Sequence, residues 1–164
     1  MEKVIILGCP GAGKSTLAMK LHEITGIPLY HLDSIWWKDD GTHISRELFD
    51  EKLRILLDAD TWIIDGDYSR TYDVRIKACD TVFFLDYDAE VCMQGIKERT
   101  GRIRFGNPFG NRSLDQQLME EVLRYNEEKR PKVLALLNEY SGKNIHVFTA
   151  REEADSFLDD MMNR

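Results

Sequence analysis

A chain of 164 residues with 22 basic side chains, 29 acidic ones and a net charge of -7 is long enough to bury one sizeable α/β core. Its acidic balance argues against a duplex nucleic-acid binder, which needs a basic face to release counterions. Three scattered cysteines (Cys9, Cys79, Cys92) suggest neither a disulfide framework nor a four-thiolate zinc site. With no apolar run of membrane-spanning length and no secretory leader before the first strand, the expected setting is cytoplasmic and reducing.

The first apolar run, Val4-Ile5-Ile6-Leu7, reads as a buried strand. It leads into Gly8-Cys9-Pro10-Gly11-Ala12-Gly13-Lys14-Ser15, which fits G-x-x-x-x-G-K-[ST], and then into Thr16 and a helical spacing of Leu17, Leu21 and Ile24. A loop wrapped around a polyphosphate must aim successive backbone N–H groups inward, and Gly8, Gly11 and Gly13 supply the conformations that this needs. The helix that follows turns its free N–H groups and positive dipole end toward the anion. Gly8 to Thr16 is therefore the expected nucleotide cradle, with Lys14 on the β- and γ-phosphates and Ser15 on Mg²⁺. ATP and Mg²⁺ are the cofactors implied.

Gly26 and Pro28 end that helix, and a short second strand over 28–32 closes on His31-Leu32-Asp33. Trp36 and Trp37 follow, able either to line an acceptor pocket or to cover the core. Ser45 reads as a helix start whose apolar face is Leu48, Leu53, Leu56 and Leu57. Strands are expected over 61–65, 81–86 and 144–149, and short helices over 70–78, 90–100 and 152–162. Helical spacing also runs from Leu114 to Tyr140, with Pro131 forcing a kink or break. Between, about 99–113, lies a stretch with Arg99, Arg102, Arg104 and Arg112, three glycines and no apolar periodicity. It reads as a cationic loop.

Strands alternating with helices predict a five-stranded, mainly parallel sheet with helices on both faces, an α/β P-loop NTPase in one domain; the arginine-rich stretch at about 99–113 becomes a small lid by the resemblance given below. Ligands in such sheets sit at the carboxyl ends of the strands, which selects the P-loop, Asp33, Asp65 and Asp86. Asp65, followed by Gly66, is the favoured metal-positioning carboxylate, and Asp86 reads as a strand-ending turn residue. Cys9, beside Lys14 and a helix N-terminus, is either a redox-sensitive thiol or a permissive loop position.

The chain resembles the small P-loop kinases related to adenylate, shikimate and gluconate kinases, and within them the bacterial DNA topology modulation proteins. The resemblance rests on GCPGAGKSTLA, PLYHLDSIWW, WIIDGDYSRTYDVRIKACDTVFFLD, RTGRIRFG and RPKVLALL. It implies transfer of the γ-phosphoryl group of ATP to a small acceptor, with a nucleoside monophosphate leading. It assigns Asp33 to the acceptor oxygen, Arg70 to an acceptor phosphate, Arg99 and Arg102 to a lid that closes on the transferring group, and Arg130 to a phosphate contact behind that lid. Arg70 falls one residue later than in the DG-x-P-R motif of adenylate kinases, which leaves the acceptor open. A kinase of another small hydroxyl compound, or a nucleotide-binding switch or slow ATPase acting on a partner, are the alternatives. Neither a membrane nor direct contact with nucleic acid is expected.

Overall fold

A computed structural model of the protein describes residues 1–98 and 116–163. Five parallel strands, β1 (Lys3–Gly8), β2 (Leu29–His31), β3 (Trp62–Asp65), β4 (Thr81–Leu85) and β5 (Asn144–Phe148), form one sheet in the order β2-β3-β1-β4-β5. The three central strands are almost wholly buried, as their unbroken apolar runs require of a sheet covered on both sides.

Helix α1 (Lys14–Thr25) returns the chain leftward from β1 to β2, whereas α4 (Tyr72–Ala78) carries it rightward from β3 to β4, so right-handed crossovers put them on opposite faces. The closing helix α8 (Arg151–Met162) packs on α1, and α7 (Arg130–Glu139) packs on α4. The remaining helices are α2 (Leu32–Trp36), α3 (Arg46–Asp58), α5 (Ala89–Glu98) and α6 (Gln116–Arg124). Among the described residues, no helix is long and apolar enough to cross a membrane.

Most boundaries fall within a residue or two of the expectation, and four differ in ways that matter. First, β2 ends at His31, and Leu32 to Trp36 is helical, so Asp33 lies in the first turn of α2 instead of at the strand's tip. An edge strand bonded only to β3 has little to prolong it, and the chain turns in as soon as Leu32 reaches the interior. Second, Ser45 caps α3 by accepting the Leu48 N–H at 3.2 Å, worth about 1 kcal/mol, but Leu48 itself is exposed. Phe49, Leu53 and Leu56 form the buried face. Third, β4 stops at Leu85, leaving Asp86 just beyond it. Fourth, the disruption at Pro131 is a one-turn π-helix over Tyr125–Lys129, immediately before α7. Proline has no N–H to give and crowds the carbonyl four residues back, and the wider turn accommodates both. The expected lid, with Arg99, Arg102, Arg104 and Arg112, lies outside the described residues.

Candidate active site at the carboxyl edge of the sheet

Register brings the site together. Ile6 of β1 lies beside Asp65, Gly8 beside Leu85, and His31 of β2 beside Asp65, so the P-loop emerges between the ends of β3 and β4. Gly8, Gly11 and Gly13 all have positive φ, at 151°, 88° and 94°. The demand is sharpest at Gly11, where an added Cβ would lie 2.0 Å from the Cys92 carbonyl oxygen of α5. Pro10 and Ala12 fill the loop, with the Ala12 N–H donating to the Cys9 carbonyl at 3.1 Å, and Thr16 is exposed in the first turn of α1. The Lys14 ammonium donates to the Gly8 and Cys9 carbonyls at 2.8 and 2.9 Å, which holds it inside the curve of the loop.

Asp65 meets the loop. Its Oδ2 accepts the Ser15 hydroxyl at 2.6 Å and faces His31 Nδ1 at 3.0 Å, while its Oδ1 is buried without a hydrogen-bond partner. Burial raises the carboxyl pKa, but His31, the Lys14 charge and the Ser15 hydroxyl outweigh it, and the group lies below the usual carboxylate range. A hydroxyl, a carboxylate and an unsatisfied buried oxygen suit a hard divalent cation. Mg²⁺ is such an ion, since it keeps several waters and takes its other ligands from phosphate.

A cavity of about 330 Å³ opens at Asp67, two residues beyond Asp65. One wall is aromatic: Trp36, Phe49 and Tyr68 pack in mutual contact, with Phe49 stacked on Tyr68 at 5.0 Å between centroids and Trp36 edge-on to both. Trp36 lines the cavity and also packs against the core, and it stacks on His43 at 4.4 Å. Arg46, Arg70 and Lys129 bring positive charge to the same cavity. Asp67 is the one acid among the described lining residues; its carboxylate accepts the Tyr72 hydroxyl and the Lys129 ammonium. Burial raises its pKa and the charges of Lys14 and Lys129 more than reverse the effect.

Several residues singled out in the sequence stand differently here. Asp33 is outside the cavity lining and accepts, through its Oδ1, the hydroxyl of Tyr68, which lines it, at 2.8 Å. Arg70 forms a two-pronged pair with Asp50 at 2.7 and 2.9 Å, with both side chains about half exposed. Arg130 is likewise paired with Asp86, at 2.6 and 2.8 Å, so Asp86 ties the end of β4 to the start of α7. Cys9 is not activated: contact with Cys92 and burial push its thiol pKa well above the usual cysteine value, outweighing Lys14. Arg70→Met should therefore change urea-unfolding stability by less than about 1 kcal/mol, the ordinary worth of an exposed pair. A larger loss would mean that the Asp50 contact holds the loop, leaving Arg70 less free for a ligand.

Asp67, Lys129, Arg46 and His31 were not chosen as site residues from sequence. One signal was available: Asp67 is a second carboxylate on the turn that follows Asp65. Arg75 was also missed. It is fully buried and donates to the Gly66 and Asp67 carbonyls and the Thr71 hydroxyl, so it fixes the turn that carries Asp67 and Tyr68.

The architecture is similar to that of solved kinase structures. A shikimate kinase from Acinetobacter baumannii, in complex with shikimate, superposes with a TM-score of 0.66 at 16% identity, over 99% of this chain and 92% of that one. This chain has the P-loop kinase fold. A shikimate kinase from Bacteroides thetaiotaomicron gives 0.64 at 16% identity over 98% and 96% of the two chains, and a sugar kinase from a Janibacter species gives 0.56 at 20% over 98% and 91%. No family model matches the sequence, and no curated protein does.

Proposed function

We propose that the protein is a phosphotransferase that moves the γ-phosphoryl group of ATP to a small organic acceptor held in the Trp36–Tyr68 cavity. The observation that carries this reading is the continuity of one turn: Asp65, bonded to the P-loop serine, and Asp67, lining the cavity, are two residues apart. A donor site and an acceptor site joined in this way suit in-line transfer, in which positioning and charge neutralisation supply most of the catalysis. A switch has no need of the second pocket.

Lys14 neutralises charge on the phosphates, and the N–H groups around Gly11 and Gly13 hold them. Ser15 and Asp65 would hold Mg²⁺, which neutralises charge between the β- and γ-phosphates when bound. The aromatic wall takes a ring or an apolar face of the acceptor, and Arg46 and Arg70 balance negative charge on it. Nucleoside monophosphates and hydroxyl-bearing organic acids both meet that description. Asp33 acts through Tyr68, and Arg99, Arg102 and Arg130 remain the proposed cationic contacts to the transferring group. The sequence resemblance to the DNA topology modulation proteins is kept as a proposed kinship, with a cytoplasmic setting and no direct contact with nucleic acid.

The test is ATP consumption with Mg²⁺ across a panel of nucleoside monophosphates and small hydroxyl acids, with Lys14→Ala as the blank. Acceleration by an acceptor, lost in the blank, is expected. Tight ATP binding with a flat panel would favour the regulatory ATPase.

A further inference from the structure

Four carboxylates gather at the carboxyl edge of the sheet, and what separates them is whether they line the cavity. Asp65 is bonded to Ser15 and His31 and is 4% exposed. Asp86 is bonded through both oxygens to Arg130. Asp33 stands behind Tyr68. Asp67 alone of the four lines the cavity, and it follows the metal-side carboxylate by two residues.

We propose that Asp67 is a catalytic residue which takes the hydrogen of the acceptor's hydroxyl, so that the oxygen phosphorylated is an alcohol oxygen and not a phosphate oxygen. The proposal rests on the phosphotransferase reading above. Both of its contacts, Tyr72 and Lys129, donate to it, so Asp67 presents an acceptor to whatever enters. A hydroxyl satisfies an acceptor. A phosphate oxygen brought to the same place would set two anions in contact in a part-buried site, which is unfavourable. The π-turn gives the arrangement its second support: it ends at Lys129, just before α7, and Lys129 brings a cation to the carboxylate from 62 residues away.

In the transfer, the acceptor oxygen forms a bond to the γ-phosphorus as the bond from that phosphorus to the β,γ-bridging oxygen breaks. The bridging oxygen leaves with the electron pair on ADP, and the hydroxyl proton passes to the Asp67 carboxylate and then to solvent. With water in the acceptor's place the same step yields inorganic phosphate.

Basal Mg·ATP hydrolysis reads this without knowledge of the natural acceptor. Wild type, Asp67→Asn and Lys14→Ala are compared, with kcat and the KM for ATP separated. Asp67→Asn is expected to lower kcat on the order of 10²-fold while leaving the KM for ATP within about two-fold, since the carboxylate meets the acceptor and not the nucleotide. A wild-type kcat in Asp67→Asn, or a KM that moves as far as kcat, overturns the assignment. Where the asparagine variant fails to fold, Asp67→Glu keeps the charge and displaces the oxygens, and the same split is read. An acceptor panel in which no compound raises ATP consumption above the Lys14→Ala blank overturns the phosphotransferase reading itself, and this assignment with it. In the acceptor panel, phosphorus NMR of the product separates the chemistries: a phosphate monoester of an alcohol supports the proposal, and a nucleoside diphosphate made from a monophosphate overturns it.

Discussion

Arg75→Met should lower the stability of the protein by about 3 kcal/mol, although the side chain touches neither the P-loop nor solvent. The guanidinium is fully buried and donates to the Thr71 hydroxyl at 2.9 Å, the Gly66 carbonyl at 3.0 Å and the Asp67 carbonyl at 2.6 Å. Methionine fills much of the volume but leaves those three acceptors without their donor, at roughly 1–3 kcal/mol each. Part of that loss is offset. Burial of the cation is itself unfavourable and depresses its pKa to about 10, and a neutral side chain is relieved of that cost. In a domain of this length a loss of that size lowers the melting temperature by about 6–12 °C.

The effect should not stop at stability. Tyr68 sits at φ 32°, a backbone region that side-chain-bearing residues occupy at a cost of about 1–3 kcal/mol and keep only when the surroundings hold them there. Arg75 is that holder, because its fork reaches the carbonyls on the N-terminal side of Tyr68. Loss of the fork releases the ring from the cavity wall and the Asp67 carboxylate with it. Arg75→Lys keeps the charge without the fork and should share most of the defect. Urea unfolding of both variants checks this; midpoints equal to that of the wild type would mean that the turn finds other donors.

What could be read from the chain and what could not follows the range of the interactions. The P-loop was legible because its code is local: three glycines, a lysine and a serine in eight residues, between a strand and a helix whose periods differ. Asp65 was legible for the same reason, as the first polar residue after an apolar run and just before a glycine. Asp33 was misplaced by one short element, since the tip of a three-residue edge strand depends on when Leu32 finds the interior. In α3 the period was right and the phase wrong: Leu48 and Phe49 are both apolar, and only the stack of Phe49 with Tyr68 and Trp36 decides which turns inward. Arg75 reads locally as a charge in a polar helix. Its burial comes from a turn whose carbonyls point back at the helix, and nothing in the sequence states where carbonyls point. The pairing of Lys129 with Asp67 lies further beyond reach, because it joins a π-turn to the end of β3 across the sheet.

Asp65→Asn should reduce phosphoryl transfer by on the order of 10²–10³-fold, the range lost when one group aimed at developing charge is removed from a closed site. The amide matches the carboxylate in shape and can still accept the Ser15 hydroxyl, so the side chain stays in place while the charge goes. If Asp65 positions Mg²⁺, the variant should need more of the ion for half-maximal rate, and raising Mg²⁺ should return part of the loss. A rate that falls with an unchanged Mg²⁺ requirement would move the metal role away from Asp65. Stability supplies an independent reading. The folded carboxyl titrates below its unfolded value of 3.8, so ionised Asp65 stabilises the fold above that pH, and the contribution is lost as pH falls through the folded pKa. At neutral pH the asparagine variant leaves Lys14 and His31 without the charge they face and should be less stable by about 3 kcal/mol, at the low end for a broken buried pair. As pH falls below 3.8 the unfolded carboxyl takes up its proton while the folded one stays ionised, and the gap between the two proteins should narrow. A gap that stays constant from pH 7 to pH 3 would mean that the carboxylate's shape, and not its charge, holds the end of β3 against the P-loop.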